Sequence, residues 1–392
     1  MDMRKILLGT TAVIGMAALA SEAMAQTAPT VRIAGYMRFN YANVDQKTAQ
    51  KEDRFVKLDS NDFSQEAEVD VLVEGTAANG IVYGAQIEIQ FDRGSNRDQT
   101  TTADLDEAFL FLRSESLGVL QLGNNEGIAN QLAVGQITGW ATGGVDGDIN
   151  DFMVGTTHTY FTFDTGDNTK INYRSPSFFG FDFGGSFAFN KSEGTLECGS
   201  LGTSCQRLSE ADGIARAKDI YELAARYTGN FAGFGVSGGV GYIGSSAVDA
   251  RTAQGASFDG VSLVNIGLSA SFAGFTVGGH YIFGSGNGAD TPLPSSGNND
   301  DMKQYFFGAE YKIGAFRIGA HYFNNEYEGS IANAADREDK GYAVGGNYTL
   351  APGLDLIAEY TSVEAKEDGV RGAPAVTDAE NKIFLLGARL SF

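Results

Sequence analysis

Apolar and polar residues alternate with a period of two along most of this chain. In "GIVYGAQIEIQFD", Ile81, Tyr83, Ala85, Ile87, Ile89 and Phe91 share one parity, while Val82, Gly84, Gln86, Glu88, Gln90 and Asp92 share the other. Successive side chains of a strand point to opposite faces, so the segment predicts a strand with two unlike sides. Read in this way, the chain yields about sixteen strands. They fall near 31–44, 62–74, 80–92, 103–113, 117–124, 168–175, 178–190, 218–228, 231–243, 260–271, 274–284, 303–313, 315–324, 340–349, 353–363 and 381–392. The connections alternate as well. Long gaps rich in Asp, Asn, Ser and Gly, such as 45–61, 191–217 and 285–302, follow odd-numbered strands, and turns as short as "AG" or "APG" follow even-numbered ones. A soluble sandwich has no reason to gather its long loops at one end, whereas a transmembrane barrel does.

Four hairpins repeat one design: "SFFGFDFGGSF", "NFAGFGVSGGV", "SFAGFTVGGHY" and "KIGAFRIGAHY". Their central Phe181, Phe234, Phe275 and Phe316 recur at roughly 40–50 residues, and each period holds two strands, which favours a meander over a propeller or solenoid. One parity carries Phe179, Phe181, Phe183, Phe187, Phe189, Tyr305, Phe307, Tyr311, Phe316, Tyr322, Tyr342 and Tyr348. That face suits lipid. The other parity carries Arg32, Arg38, Glu66, Glu68, Asp70, Glu88, Lys170, Arg174, Glu222, Arg226, Glu310, Arg317, Glu359 and Arg389. Unpaired charges are too costly in a dry interior, so this face is expected to line water.

Composition agrees with that picture. The chain has 52 Gly, 27 Phe and 16 Tyr against 6 Pro and 1 Trp, as short alternating strands require. The net charge of −21 supplies no basic stripe for phosphates, which excludes a nucleic-acid partner. At the start, "MDMRK", an apolar run of about 15 residues and Ala23-Met24-Ala25 have the pattern of a secretory signal peptide. Residues 1–25 are therefore expected to be removed, leaving one domain over 26–392. Cys198 and Cys205 in "CGSLGTSC" are a candidate disulfide for a chain exported from the cytoplasm. No nucleophile elbow, zinc motif or P-loop accompanies the three histidines, His158, His280 and His321, so no enzyme is expected. His280 and His321 share the inward parity and read as part of a polar ring around the lumen.

With its signal-peptide pattern, the "INYRSPSFFGFDFGGSF" hairpin and the closing "LLGARLSF", the chain resembles the general diffusion porins of the Gram-negative outer membrane. The resemblance spans essentially the whole mature chain. It implies an all-β fold, a sixteen-stranded antiparallel transmembrane β-barrel with short periplasmic turns, long outer loops and an inward-folded third loop. It also implies a homotrimer set among outer-membrane lipid and lipopolysaccharide, with Phe392 read by the barrel-assembly machinery. The third loop corresponds to 125–167, the longest connection. Its acids Glu126, Asp146, Asp148 and Asp151 are the implied constriction residues, facing Arg32, Arg38 and Arg113 as the basic wall.

The expected function is a water-filled pore for passive diffusion of ions and small hydrophilic solutes. The alternative is a substrate-specific channel for sugars or other small nutrients. Such a channel needs an aromatic track, and Phe306 and Phe323 are too few to make one. No cofactor is expected, although Asp146, Asp148 and Asn150 in "DGDIND" are a candidate calcium set. They are not an EF-hand, because Asp151 and Thr157 stand where that loop needs Gly and Glu.

Overall fold

The computed structural model describes residues 26–48, 59–93, 103–141, 149, 152, 163–190, 217–247, 260–286, 301–327, 337–367 and 378–392. Within them the strands are β1 (Thr27–Thr48), β2 (Asn61–Thr76), β3 (Val82–Arg93), β4 (Ala103–Ser114), β5 (Gly118–Asn124), β6 (Thr169–Arg174), β7 (Phe181–Asn190) and β8 (Ala217–Phe231). The second half comprises β9 (Phe234–Ala247), β10 (Ser262–Phe272), β11 (Phe275–Ser285), β12 (Asp301–Ile313), β13 (Phe316–Tyr327), β14 (Arg337–Ala351), β15 (Leu354–Glu367) and β16 (Asp378–Ser391). A short helix, α1 (Ile128–Gln131), lies between β5 and β6.

Each strand pairs antiparallel with its chain neighbours, and β16 pairs with β1, so the sheet closes on itself. The seam places Arg38 opposite Arg389. It is finished by reciprocal backbone hydrogen bonds between Gly35 and Phe392, 3.1 and 3.0 Å long. Closure removes the sheet edges, and that is what allows strands to cross hydrocarbon. The expected sixteen-stranded meander is therefore the observed fold. At β7 the strand begins at Phe181 rather than 178, because Phe179 and Gly180 both take left-handed φ values, 53° and 88°. Ala232–Gly233 and Ala273–Gly274 repeat that geometry at the next two short turns. Positive φ at both central residues matches the right-handed twist of the flanking strands.

The outward parity is apolar, but not evenly so. A band of tyrosines crosses the long-loop end of β8 to β15. Ring centroids are 5.8 Å apart for Tyr221–Tyr242, 6.3 Å for Tyr305–Tyr322 and 6.2 Å for Tyr342–Tyr360. Tyr281 stands opposite Tyr305, and Tyr322 opposite Tyr342. Near the short turns a second band stacks Phe234 on Phe272 and Phe275 on Tyr311. Such paired girdles mark the two membrane interfaces. Over β1 to β5 the exposed residues are mainly aliphatic, among them Val31, Ile33, Met37, Leu105, Leu110 and Leu112.

Candidate functional site

The described parts of the connection between β5 and β6 lie inside the barrel, against the inward parity of the wall. Ile128 rests on Gly184 of β7, Val134 on Gly239 of β9, Ile137 on Gly278 and Gly308 of β11 and β12, and Trp140 on Gly319 and Gly345 of β13 and β14. These glycines meet across the strands: Gly278 is opposite Gly308, and Gly319 is opposite Gly345. A Cβ on Gly319 would stand 2.4 Å from Trp140 Cδ1, and one on Gly308 would stand 2.9 Å from Ile137 Cβ. Only glycine leaves room for the loop to lie that close.

Further along, Ile149 and Phe152 pack with Phe306, Phe323, Ile357, Ile383 and Leu385. On the return leg, Phe163 joins Ile243, Leu263, Ile282 and Met302. The inward face was expected to be wet throughout. From β8 to β16 much of it is instead a dry packing surface, because the loop covers it. His280 and His321 belong to this packing rather than to a ring of polar groups in water. They are 5 % and 4 % exposed, and the His321 ring lies 5.4 Å from that of Trp140.

Polar wall residues fasten the loop where it starts and ends. The Ile128 N–H donates to Ser186 Oγ at 2.7 Å, and the Ala129 N–H donates to Glu222 Oε2 at 2.8 Å. The first N–H groups of a helix have no partner within it, and here the wall provides one. Asn172 Nδ2 donates to the Glu126 carbonyl at 2.7 Å, and Arg317 Nη1 donates to the Gly139 carbonyl at 2.6 Å. Lys170 Nζ, itself buried, donates to the carbonyl of Gly166 at 2.5 Å.

The wall of β2 to β4 is different in kind. Carboxylate oxygens of Glu68, Asp70 and Glu88 lie within 4.8 Å of one another, close enough to share one divalent cation. A bulge between Ile87 and Ile89 sets Asp106 and Glu107 together opposite Glu88. An extra residue of this kind re-aims a side chain, and here it adds a carboxylate to the cluster. Both loop legs extend the acidic arc. The Glu126 N–H donates to Glu107 Oε1 at 2.9 Å, and Asp164 of the returning leg accepts the Gly127 N–H beside Glu126 at 3.5 Å. Glu126 is open to solvent, yet protein encloses it on most sides. That enclosure, followed by repulsion from Asp164 and Asp167, lifts its carboxyl to about 7 against the pull of Lys170. Asp167 rises to about 6, again by enclosure first and then by Asp164 and Asp106.

The residues expected from sequence fall as follows. Glu126 joins this arc. Arg38 is buried and ion-paired with Glu66, which also accepts the Tyr36 hydroxyl, while the Arg389 guanidinium lies 4.3 Å from the Tyr36 ring centroid. Arg113 pairs with Glu74 at 2.7 Å near the short-turn end. Arg32 is exposed, with Leu72 opposite it in register. Asp146, Asp148, Asn150, Asp151, Cys198, Cys205 and the leader 1–25 lie outside the described residues. Sequence reasoning placed Glu68, Asp70 and Glu88 on the inward face but did not single them out. It missed Asp106 and Glu107, since a bulge shifts parity midway through β4.

A closed β-barrel with lipid-type girdles, a loop folded into its interior and an acidic opening beside that loop is a transmembrane channel architecture. A family model described as Gram-negative porin matches residues 9–368, and the chain belongs to that family. It is an outer-membrane channel for passive diffusion. Among solved structures, a double mutant of the Rhodopseudomonas blastica porin aligns with a TM-score of 0.57 at 17 % identity, over 93 % of this chain and 100 % of that one. A loop L8 deletion mutant of OmpT, an outer membrane protein of Vibrio cholerae, aligns with the same TM-score and coverage at 13 % identity. At such identities these two likenesses speak to the fold alone. A search of curated proteins returns no match.

Proposed function

We propose that the pore prefers cations, and that the preference is set by the acidic arc of Glu68, Asp70, Glu88, Asp106 and Glu107 with Glu126, Asp164 and Asp167 on the loop legs. One observation carries this reading. Carboxylate oxygens of Glu68, Asp70 and Glu88 lie within 4.8 Å of one another and Asp164 repels Glu126 and Asp167, while Arg38 and Arg113 are each held by a carboxylate of their own. A low-dielectric wall lined by one sign of charge raises the local concentration of counter-ions. The test is the reversal potential of bilayer-reconstituted protein in a KCl gradient. It should have the sign of K+ preference; a Cl− preference would refute the assignment.

The alternative of a sugar-specific channel loses its stacking surface, because Phe306 and Phe323 are 2 % and 0 % exposed beneath the loop. Block by low concentrations of one sugar would restore it. The assembly we propose is a homotrimer packed through the aliphatic face over β1 to β5, where the tyrosine band does not run. Leu110→Arg on that face should convert trimers to monomers on native gels. Residues 1–25 act in this reading as a removable signal peptide. Phe392 acts as the mark for barrel assembly, in a membrane of lipid and lipopolysaccharide.

A further inference from the structure

We infer that Glu222, which no permeating solute can touch, is the positioning residue of the pore: it clamps both legs of the inward loop and so sets where the loop acids stand. The inference rests on the pore reading above and adds the residue that controls it. Glu222 lies on the inward parity of β8 and is 1 % exposed. Its two carboxylate oxygens go to different legs. Oε2 accepts the N–H of Ala129 on the outgoing leg, and Oε1 accepts the hydroxyl of Thr165 on the returning leg.

The surroundings fit a clamp. A Cβ on Gly127 would stand 1.9 Å from Oε1, so a residue without a side chain lets the outgoing backbone lie directly on the carboxylate. Lys170 Nζ donates to the same Thr165 hydroxyl oxygen at 3.2 Å, which supplies the counter-charge that a buried carboxylate needs. Glu126 lies just before the clamped Ala129, and Asp164 and Asp167 flank the clamped Thr165. Two bonds to one rigid strand therefore fix the positions of three carboxyls, Glu126 open to solvent and Asp164 and Asp167 partly exposed. Losing them frees the legs without removing any charge that an ion meets.

The experiment compares wild-type protein with Glu222→Ala and Glu222→Gln in planar bilayers, after native gels confirm assembled barrels. Wild type should show one steady level. Glu222→Ala should lose that level to flicker between several and move the reversal potential towards zero, with Glu222→Gln between the two. Two further variants separate positioning from charge. In a Glu126→Gln, Asp164→Asn, Asp167→Asn background, Glu222→Ala should move the reversal potential no further, because contributions that act through one another do not add.

A tether should also rescue the loop. A Cβ at Gly241 lies 3.8 Å from that of Ala129, within the range of a disulfide, and 2.8 Å from Phe163 Cε1, so Phe163→Leu accompanies the tether to clear the ring. With Cys198→Ser and Cys205→Ser in place, an oxidised Ala129→Cys, Gly241→Cys pair should restore the steady level to Glu222→Ala, and reduction should abolish it again. Wild-type noise and reversal potential in Glu222→Ala would overturn the inference. So would a shift that persists undiminished in the triple background, or a formed tether that restores nothing. If Glu222→Ala fails to assemble, the same comparisons in Glu222→Gln decide. A silent wild-type protein would count against the pore reading instead.

Discussion

The inner walls of β2 to β4 and of β8 to β16 are written in the same alternating code, yet they do opposite work. Inward positions on β2 and β3 include Glu68, Asp70 and Glu88, and these remain partly exposed. Inward positions from β9 to β14 include Gly239, Gly278, Gly308, Gly319 and Gly345, and these lie beneath the loop. Alternation decides which side a residue faces. The loop decides whether that side is wet. The two walls also differ on the outside, where the tyrosine band backs the covered arc and the aliphatic face backs the acidic one. In the proposed trimer the acidic walls would therefore lie towards the shared centre and the packed walls towards lipid.

The contrast breaks most severely if the loop is lifted off its track. Trp140→Ala removes a side chain with no exposed surface, a change that in protein cores costs about 3–5 kcal/mol. Chemical denaturation should register that loss, and the steady conductance level should disappear. Gly319→Val should act from the other side of the same contact. Trp140 is the only tryptophan, so its fluorescence should shift to the red and become open to iodide quenching in that variant.

Neutralising the open wall should spare the fold and change the traffic. Glu68→Gln, Asp70→Asn and Glu88→Gln together should lower the K+ over Cl− permeability ratio markedly in dilute salt. The effect should shrink at 1 M, where the screening length is about 3 Å. Thermal unfolding should hold or improve, since three crowded charges have gone.

Acidification should imitate part of that change. Glu126 and Asp167 titrate near 7 and 6, so both are ionised above that range and neutral below it. Cation preference should therefore fall as pH drops through 7 and then 6. Glu126→Gln should remove the upper part of that profile and Asp167→Asn the lower part. A profile flat down to the ordinary carboxylate range would break the assignment.

The smallest effect belongs to Arg113→Ala. Its pair with Glu74 is half open to solvent, and exposed pairs contribute about 0–1 kcal/mol. Stability should barely move, while the released Glu74 should raise cation preference slightly.

The barrel was legible in sequence because its signals are local. Parity, turn length and the alternation of long and short gaps each follow from strand geometry, and they agree along the chain. The covered wall was not legible from parity. His321 and Arg317 have the same parity, yet one is packed beside Trp140 while the other holds the Gly139 carbonyl. Only the path of the loop separates their roles. A trace of that path does exist in sequence. "SGGVGY", "VGGHY" and "VGGNY" place glycines on inward positions where a polar lumen has no need of them. The bulge at Asp106–Glu107 left no such trace, and Glu222 looked like any other inward charge.

The central claim is that one arc of the inner wall meets water and the other meets the loop. Single cysteines at Glu88 and His321, in a Cys198→Ser, Cys205→Ser background, test it directly with a cationic thiosulfonate added during bilayer recording. Glu88→Cys should react within seconds to minutes, with a stepwise change in current, and His321→Cys should stay unmodified with its conductance intact. Equal and rapid modification at both positions would contradict the account.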